Sequence, residues 1–447
     1  MIRRIQKNIK KHFFVQWKKY LLGLIIVLIF SLGVISSYFY FKKNSDQPTP
    51  AETNQNIYIE FLSEVYDKIK ENYWQKTTDE QLGKLFKLAI EKLANKPQDD
   101  EIENKEDFLE MLEDVMKIVK PEKNKEFATQ LASIVLANLQ PKGRSALYTI
   151  QDKKELANRV KNINPETNLY QTLDIEKSAS KEDIEKAYQD KLAELDQDDS
   201  EEAQKELEAT KYAYQVLSNT NQKENYDQAG TEPTVFAKKI RPDILHLYIK
   251  KISPTTFNEF GKIVEQFNGA KGLNSLILDL RANIGGSLDV IQYILGPFIG
   301  ENQYAYELFH QGEYTPYKTK TDWLPGLFQY KKVVILIDGD TQSSAEVIAA
   351  TLKKYNVGVT IGTPTKGWGT IEAVVDIEQE LEGEKYSMFL VHSLTLRDDN
   401  EPIQGNSVYP LISINDSDWK NQLFTYFNYN ELINAVEEIW NKPPGQL

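Results

Sequence analysis

LILDLRANIGGSLDV, residues 276–290, decides how this chain is read. A continuous apolar run ends in an Asp-Leu-Arg turn with paired glycines, and apolar spacing then resumes with a helical period. A strand apolar at every position is buried on both faces, the habit of parallel sheets covered by helices. VVILIDGDTQSSAEVIAATLKKY, residues 333–355, repeats the arrangement of strand, polar turn and helix. Alternation of such strands with helices predicts an α/β core over 233–447 with a largely parallel sheet.

Both turns carry residues able to do chemistry. Gly285-Gly286 lets backbone N–H groups face a ligand oxygen, although the same pair suits a tight strand-to-helix turn. Ser343-Ser344-Ala345-Glu346 fits an S-x-x-E capping box in which Ser343 is simply the N-cap. It equally fits a serine nucleophile at a helix N-terminus, where the dipole and free N–H groups favour a developing oxyanion. Neither turn by itself chooses between these readings.

Upstream of the core the chain is helical. Phe61, Val65, Ile69 and Tyr73 recur every four residues, and helical patterns follow through Leu82–Leu93, Phe108–Val119 and Phe127–Leu139. They define a helical arm over 57–163, then a small helical unit over 164–232. Thr231-Glu232-Pro233-Thr234 reads as a linker into the core.

At the N-terminus, LLGLIIVLIFSLGVISSYFYF, residues 21–41, holds no charge. At about 1.5 Å per residue this run spans a hydrocarbon core of about 30 Å. Tyr20, Tyr38 and Tyr40 sit where interfacial aromatics belong, and bulky Tyr38-Phe39-Tyr40 makes a poor signal-peptidase site. Seven basic residues precede the run, so residues 1–20 are expected in the cytoplasm, 21–41 in the membrane and, after a polar linker over 42–56, the body outside.

The chain has 447 residues, 53 Lys and Arg against 66 Asp and Glu, and a net charge of −13. Nine of the basic residues lie in the first 43 positions, so the body is strongly acidic and offers nucleic-acid phosphates no footprint. With 41% hydrophobic and 11% aromatic residues the chain can pack cores, which excludes a disordered or fibrous protein. The absence of cysteine removes disulfide scaffolds, zinc-thiolate sites and thiol nucleophiles.

Taken together, the two turns resemble the C-terminal processing (tail-specific) serine proteases, which use a Ser–Lys dyad on a crotonase-like α/β fold. The family's "LDLRNNPGG" stands here as LDLRANIGG at 278–286. Its "SASASEI" is similar to Thr341–Val347, and its "SIQGKGIEPDI" to PIQGNSVYP at 402–410. The resemblance implies Ser343 as nucleophile, backbone N–H groups of Ser344 and of Gly285 or Gly286 as oxyanion donors, and Glu346 as an orienting group. It implies polypeptide substrates and no metal or organic cofactor, in keeping with the lack of H-E-x-x-H and Walker A motifs.

The departure lies at the base. The family's "GEPTFGKGTVQ" places lysine 25 residues after the serine; GTPTKGWGTIE, 362–372, has Trp368 there and Lys366 two positions earlier. Two steps along an extended strand move a Cα by about 6.6 Å and keep the side chain on the same face. A lysine arm can span that distance, with Trp368 walling it from water. The readings are therefore a Ser343–Lys366 dyad, or a protease fold that binds peptide tails without cutting them; His392 is the next base available.

Family members usually carry a PDZ domain before the core. Residues 168–230 instead resemble a DnaJ-type J domain: NLYQTLDIEKSASKEDIEKAYQDKLAELD (168–196) and ATKYAYQVLSNTNQKENYDQAG (209–230) are similar to its opening and closing segments. Ile184, Ala187, Tyr188 and Leu192 form one stripe, and Ala213, Tyr214, Val216 and Leu217 the facing one. The family's His-Pro-Asp loop falls on Asp196-Gln197-Asp198, where only Asp198 matches. A membrane-tethered J-domain co-chaperone is thus the third reading, but engagement of a DnaK-type chaperone is not expected. The fold class expected overall is multi-domain: transmembrane helix, helical arm, J-like helical domain and α/β crotonase-like core.

Overall fold

The computed structural model describes residues 52–95, 101–195, 200–397 and 399–445. The Leu21–Phe41 run and the Asp196-Gln197-Asp198 loop both lie outside them. No helix among the described residues is long and apolar enough to cross a membrane.

The described residues divide into two compact units, one of residues 52–60 with those described over 79–131, the other of residues 61–78 with those described from 132 to 445. The arm expected over 57–163 is therefore shared between them. In the first unit, helices Asp79–Ala94 and Lys105–Ile118 bury Leu82, Phe86, Ile90, Phe108, Leu112 and Met116. The three-and-four spacing of these residues puts them on single stripes, and the Phe86 and Phe108 rings meet at 4.6 Å.

The second unit holds the core. Six strands, β2 (Val235–Arg241), β3 (Ile244–Ile249), β4 (Ser275–Asp279), β7 (Lys332–Ile337), β8 (Val359–Gly362) and β11 (Ile412–Ser413), form a sheet in the order β11-β8-β7-β4-β3-β2. All neighbours are parallel except the β2–β3 pair at the edge. Alternate residues of the apolar runs face opposite ways. Leu276, Leu278, Ile335 and Ile337 pack with helices Thr256–Gln266, Ile291–Ile299 and Ser344–Lys354. Ile277, Val334 and Leu336 pack with the C-terminal helices Trp419–Phe427 and Asn430–Trp440. That two-sided burial explains why the strands are apolar throughout.

A second, antiparallel sheet of β1 (Ala146–Thr149), β5 (Tyr304–His310), β6 (Glu313–Lys318), β9 (Thr370–Asp376) and β10 (Tyr386–Leu396) was not foreseen from the sequence. The register of β9 against β10 shifts at His392, where the strand bulges.

The inserted helices follow the expected stripes. Helices Lys181–Leu195 and Glu201–Leu217 run antiparallel, Lys191 meeting Glu206 and Glu185 meeting Tyr214. Leu169, Tyr170, Ile184, Ala213, Val216 and Leu217 form their core, and Tyr188 stacks on Tyr214 at 4.0 Å. One expectation fails here. Thr231–Thr234 is not a linker: Thr231, Glu232 and Thr234 are buried, and Thr234 and Val235 donate their N–H groups to Glu259 Oε2 at 2.6 and 3.1 Å. A Thr-Glu-Pro-Thr stretch has linker composition, yet a buried carboxylate 25 residues on in sequence gives its backbone donors a charged acceptor.

Candidate active site

β4 and β7 are parallel neighbours, so the turns that follow them emerge side by side at the C-terminal end of the sheet, the usual ligand edge of open α/β folds. The two turns are stitched together. Ala282 N–H donates to Asp338 Oδ1 (2.9 Å), Gln342 N–H to the Asn283 carbonyl (2.9 Å), and Thr341 Oγ1 to the Leu280 carbonyl (2.9 Å). Asp338 Oδ1 also accepts the Asp340 and Thr341 N–H groups, closing the turn after β7.

Ser343 sits at the junction of that turn with helix Ser344–Lys354, with φ +56° and ψ −127°. A non-glycine residue held there stores about 1–3 kcal/mol of backbone strain, a feature of sharp strand-to-helix turns that expose a serine hydroxyl. Half of the capping box is present: Ser343 N–H donates to Glu346 Oε2 at 2.9 Å, while the Glu346 N–H goes to the Ser343 carbonyl at 2.8 Å and leaves the serine hydroxyl out of the cap. N-cap and nucleophile are thus not exclusive roles for this residue.

Gly285 explains the paired glycines. At its φ of +77°, a Cβ would lie 2.7 Å from Ser343 Cβ and 2.8 Å from Ser344 N. At Gly286 a Cβ would lie 1.9 Å from the Ile252 carbonyl oxygen. The two expected oxyanion donors are not equivalent. Gly285 N–H is taken by the Asn283 side chain at 2.9 Å, so Gly285 drops out as a donor. Gly286 N–H and Ser344 N–H have no protein acceptor among the described residues, and Ser344 Oγ ties the turns by donating to the Gly286 carbonyl at 2.9 Å.

Glu346 is fully buried and its carboxylate is saturated. Oε1 accepts from Thr365 Oγ1 and from Gly367 N–H (2.8 Å); Oε2 accepts from Trp368 N–H (2.8 Å) and Ser343 N–H (2.9 Å). Burial pushes its carboxyl above the ordinary value, and these four bonds oppose the shift. The same group therefore fixes the serine turn and the 365–368 segment together.

Along that segment Thr365 and Gly367 are buried while Lys366 and Trp368 are exposed, but the extended strand expected here is absent: β9 begins only at Thr370, and Gly367, between the two side chains, has φ +76°. Lys366 Nζ stands 3.9 Å from Asp340 Oδ1 and 5.5 Å from the centre of the Trp368 ring, with no hydrogen bond to Ser343 among the described residues. Trp368 carries Arg144 on its ring at 4.4 Å; the guanidinium in turn binds Glu372 Oε1 and Thr370 Oγ1, both at 2.7 Å. His392 stacks on His310 at 4.2 Å and bonds Ser393 Oγ at 2.8 Å, and burial together with His310 lowers its pKa. Gln404, within the PIQG stretch, accepts the Gly369 N–H at 3.2 Å.

Sequence reading missed Asn283, Arg144 and Glu372. Asn283 lay inside the quoted turn and its amide was the available signal. Arg144 comes from 226 residues before Thr370, with no local signal to mark it.

A serine in the left-handed region at a helix start, beside two N–H groups with no protein acceptor among the described residues, is the arrangement that the serine-protease resemblance led us to expect. Residues 243–414 match Peptidase family S41 and residues 168–227 match the DnaJ domain, so the chain carries an S41 peptidase domain preceded by a DnaJ domain. It is 23% identical over 180 residues to the carboxy-terminal-processing protease of Bartonella bacilliformis, covering 39% of this chain and 40% of that protein. Over 70 residues it is 41% identical to DnaJ homolog subfamily B member 8 of Mus musculus, covering 14% of this chain and 30% of that protein. Among solved structures it is similar to the photosystem II D1 C-terminal processing protease, with TM-score 0.35 and 18% identity over 41% of this chain and 49% of that one. The chain thus spans less than half the length of the curated relatives named here.

Proposed function

We propose that the protein is a membrane-anchored serine peptidase of the C-terminal processing type, acting on polypeptide tails. The observation that carries the proposal is Ser343, strained at the helix start between the free Gly286 and Ser344 N–H groups. Ser343 Oγ forms the bond to the scissile carbonyl carbon while its proton passes to neutral Lys366 Nζ. The two N–H groups hold the oxyanion, and the proton then leaves with the amine as the C–N bond breaks; water hydrolyses the ester. The exposed Lys366–Asp340 contact at 3.9 Å is worth under about 1 kcal/mol, so little opposes the lysine swinging toward the hydroxyl.

The competing reading is a cleft that binds tails without cutting them, and Trp368 at the expected lysine position, packed under Arg144, favours it. Cleavage of unfolded polypeptides with free C-termini separates the two. An active enzyme loses nearly all turnover in Ser343→Ala or Lys366→Ala alone, with little further loss in the double variant. Its rate rises with pH because the base acts only when neutral. Inert wild type with serine-dependent cleavage in Trp368→Lys establishes the binder.

The anchor we assign is Leu21–Phe41, with residues 44–447 outside. Protease added to intact cells stripped of outer layers then digests the body; protection until the inner membrane is lysed refutes this topology. For the DnaJ domain the missing His-Pro pair supports a scaffold role. ATP hydrolysis by a DnaK-type chaperone stays unstimulated by the full chain, and stimulation lost in Asp198→Ala reverses that view.

A further inference from the structure

β2 is an edge strand of the central sheet: it pairs with β3 on one side and with no strand on the other. Which of its backbone groups face outward can be read at its start. Thr234 turns its carbonyl inward, to the Lys250 N–H at 2.8 Å. Val235 points out, its N–H donating to Glu259 Oε2 at 3.1 Å and its carbonyl accepting from Gln222 Nε2 at 3.4 Å. Direction alternates along an antiparallel strand, so Ala237 and Lys239 also turn their N–H and carbonyl groups outward. Those groups have no partner among the described residues. An edge left unpaired is a template for another strand.

A groove runs along this edge. Helix Thr256–Gln266 gives it Lys262, Ile263 and Gln266; the inserted helices give it Gln215 from Glu201–Leu217 and Asn221, Gln222 and Asn225 from Thr220–Ala229. Its volume, 150 Å³, falls short of the roughly 300–1,000 Å³ usual for small-molecule sites, so a compact organic ligand is not its natural occupant. Amides dominate the lining. Gln215, Asn221, Asn225 and Gln266 make no side-chain hydrogen bond among the described residues. An amide side chain offers a donor and an acceptor together, the complement of a peptide group, whatever the sequence around that group. Glu259, the one acid of the lining among the described residues, is spent on Thr234, Val235 and Thr255. Lys239 and Lys262 are exposed and make no salt bridge among the described residues, a basic spot on an acidic body.

We propose that this groove docks the extended C-terminal tail of a polypeptide, which adds to β2 as a further strand. The tail's backbone pairs with Ala237 and Lys239, the flanking amides take the peptide groups that face away from β2, and Lys239 and Lys262 attract the terminal carboxylate. Val235 pairs with Ile249, the last residue of β3, so the groove opens at the C-terminal edge of the parallel strands, where Ser343 also stands. An added strand lies four strand spacings from β7, about 19 Å, which about six extended residues span. The inference rests on the tail-peptidase reading for the identity of the occupant; the groove itself does not use Ser343.

The test is fluorescence anisotropy of a labelled dodecapeptide of alternating threonine and serine with a free C-terminus. It is titrated with the full chain carrying Ser343→Ala, so that the probe stays uncut. Saturable binding is expected, with amide exchange at Ala237 and Lys239 slowed about tenfold in its presence. A twin N-methylated at every residue should not bind, and an amidated twin should bind about threefold more weakly. Ala237→Pro deletes an outward N–H and spares the bonds to β3, so it should keep the melting temperature yet weaken binding about tenfold. Asn225→Ala with Gln266→Ala should weaken binding about threefold, whatever the proline does to the fold. No protection at Ala237 and Lys239, or equal binding by the N-methylated twin, overturns the proposal. Cleavage of tails by the wild type without that protection keeps the peptidase reading and removes the groove. Protection without cleavage keeps the groove and removes the peptidase.

Discussion

The turn at Ser343 and the segment at Lys366–Trp368 share one carboxylate, that of Glu346, yet they present different things to the cleft. The serine turn presents backbone. Its two free N–H groups are aimed by glycine geometry, by the Asn283 amide and by bonds between neighbouring turns. The other segment presents side chains, an exposed lysine leaning toward Asp340 and a tryptophan under an arginine. Backbone donors are positioned wherever the fold is made, whereas a base depends on where one long side chain reaches. A two-residue displacement of the lysine therefore leaves the two N–H groups in place and moves only the candidate base.

The most severe break in that comparison is expected at the shared group. Glu346→Ala strands four buried donors, which should cost on the order of 3 kcal/mol or more in denaturant unfolding. Any turnover should fall by about 10²-fold or more, because both halves lose their common anchor. Undiminished stability would mean that the carboxylate does not hold the segments.

Gly286→Ala strikes the serine half alone. The new Cβ meets the Ile252 carbonyl at 1.9 Å, so a loss of about 3 kcal/mol is expected, while the Arg144–Trp368 stack should persist by indole fluorescence. Arg144→Ala tests the other half. Losing the ring contact and the Glu372 pair should cost about 1–2 kcal/mol and mobilise Trp368, visible as increased fluorescence quenching by iodide. Should Trp368 stay as rigid as before, the stack is incidental.

The smallest effect is on pH. Burial lowers the His392 pKa, so the folded state binds fewer protons than the unfolded chain near the ordinary histidine range. Stability from this residue is then present above about pH 6.5 and is lost as pH falls below it. His392→Gln should flatten the melting temperature between neutral and mildly acidic pH; an unchanged slope would assign that dependence elsewhere.

Much of this architecture was legible because it is local. The apolar run of β4, the helix start at Ser343 and the stripes of the inserted helices each declare themselves within a dozen residues. Strand geometry did not carry to Lys366 and Trp368, because Gly367 at φ +76° turns the chain between them before β9 begins. What escaped was set by distant partners. Whether Gly285 or Gly286 keeps a free N–H is decided by the rotamer of Asn283, and the fate of Trp368 by Arg144. Thr231–Thr234 has the composition of a linker, and only Glu259 turns it into buried structure. The antiparallel sheet went unseen because β10 takes β1 and β5 as partners from distant parts of the chain, and because exposed β6 carries no apolar alternation.

The buried stretch at 231–234 has a consequence for how such a chain is assembled. Ile163 and Thr231 form an antiparallel bridge, Glu232 N–H meets the Asn162 carbonyl at 2.9 Å, and Asn162 Nδ2 returns the bond to the Glu232 carbonyl at 2.9 Å. Everything between these residues leaves and re-enters the body through one doorway about the width of a strand pair. The inserted helices thus resemble a cassette whose ends lie side by side, and it also covers β2: the Tyr212 ring packs on Phe236 with centres 6.3 Å apart, and Lys250 Nζ sits 4.6 Å from the centre of that tyrosine ring. Exchange of a module at this point requires that the doorframe residues be kept and that the new module cover Phe236 again.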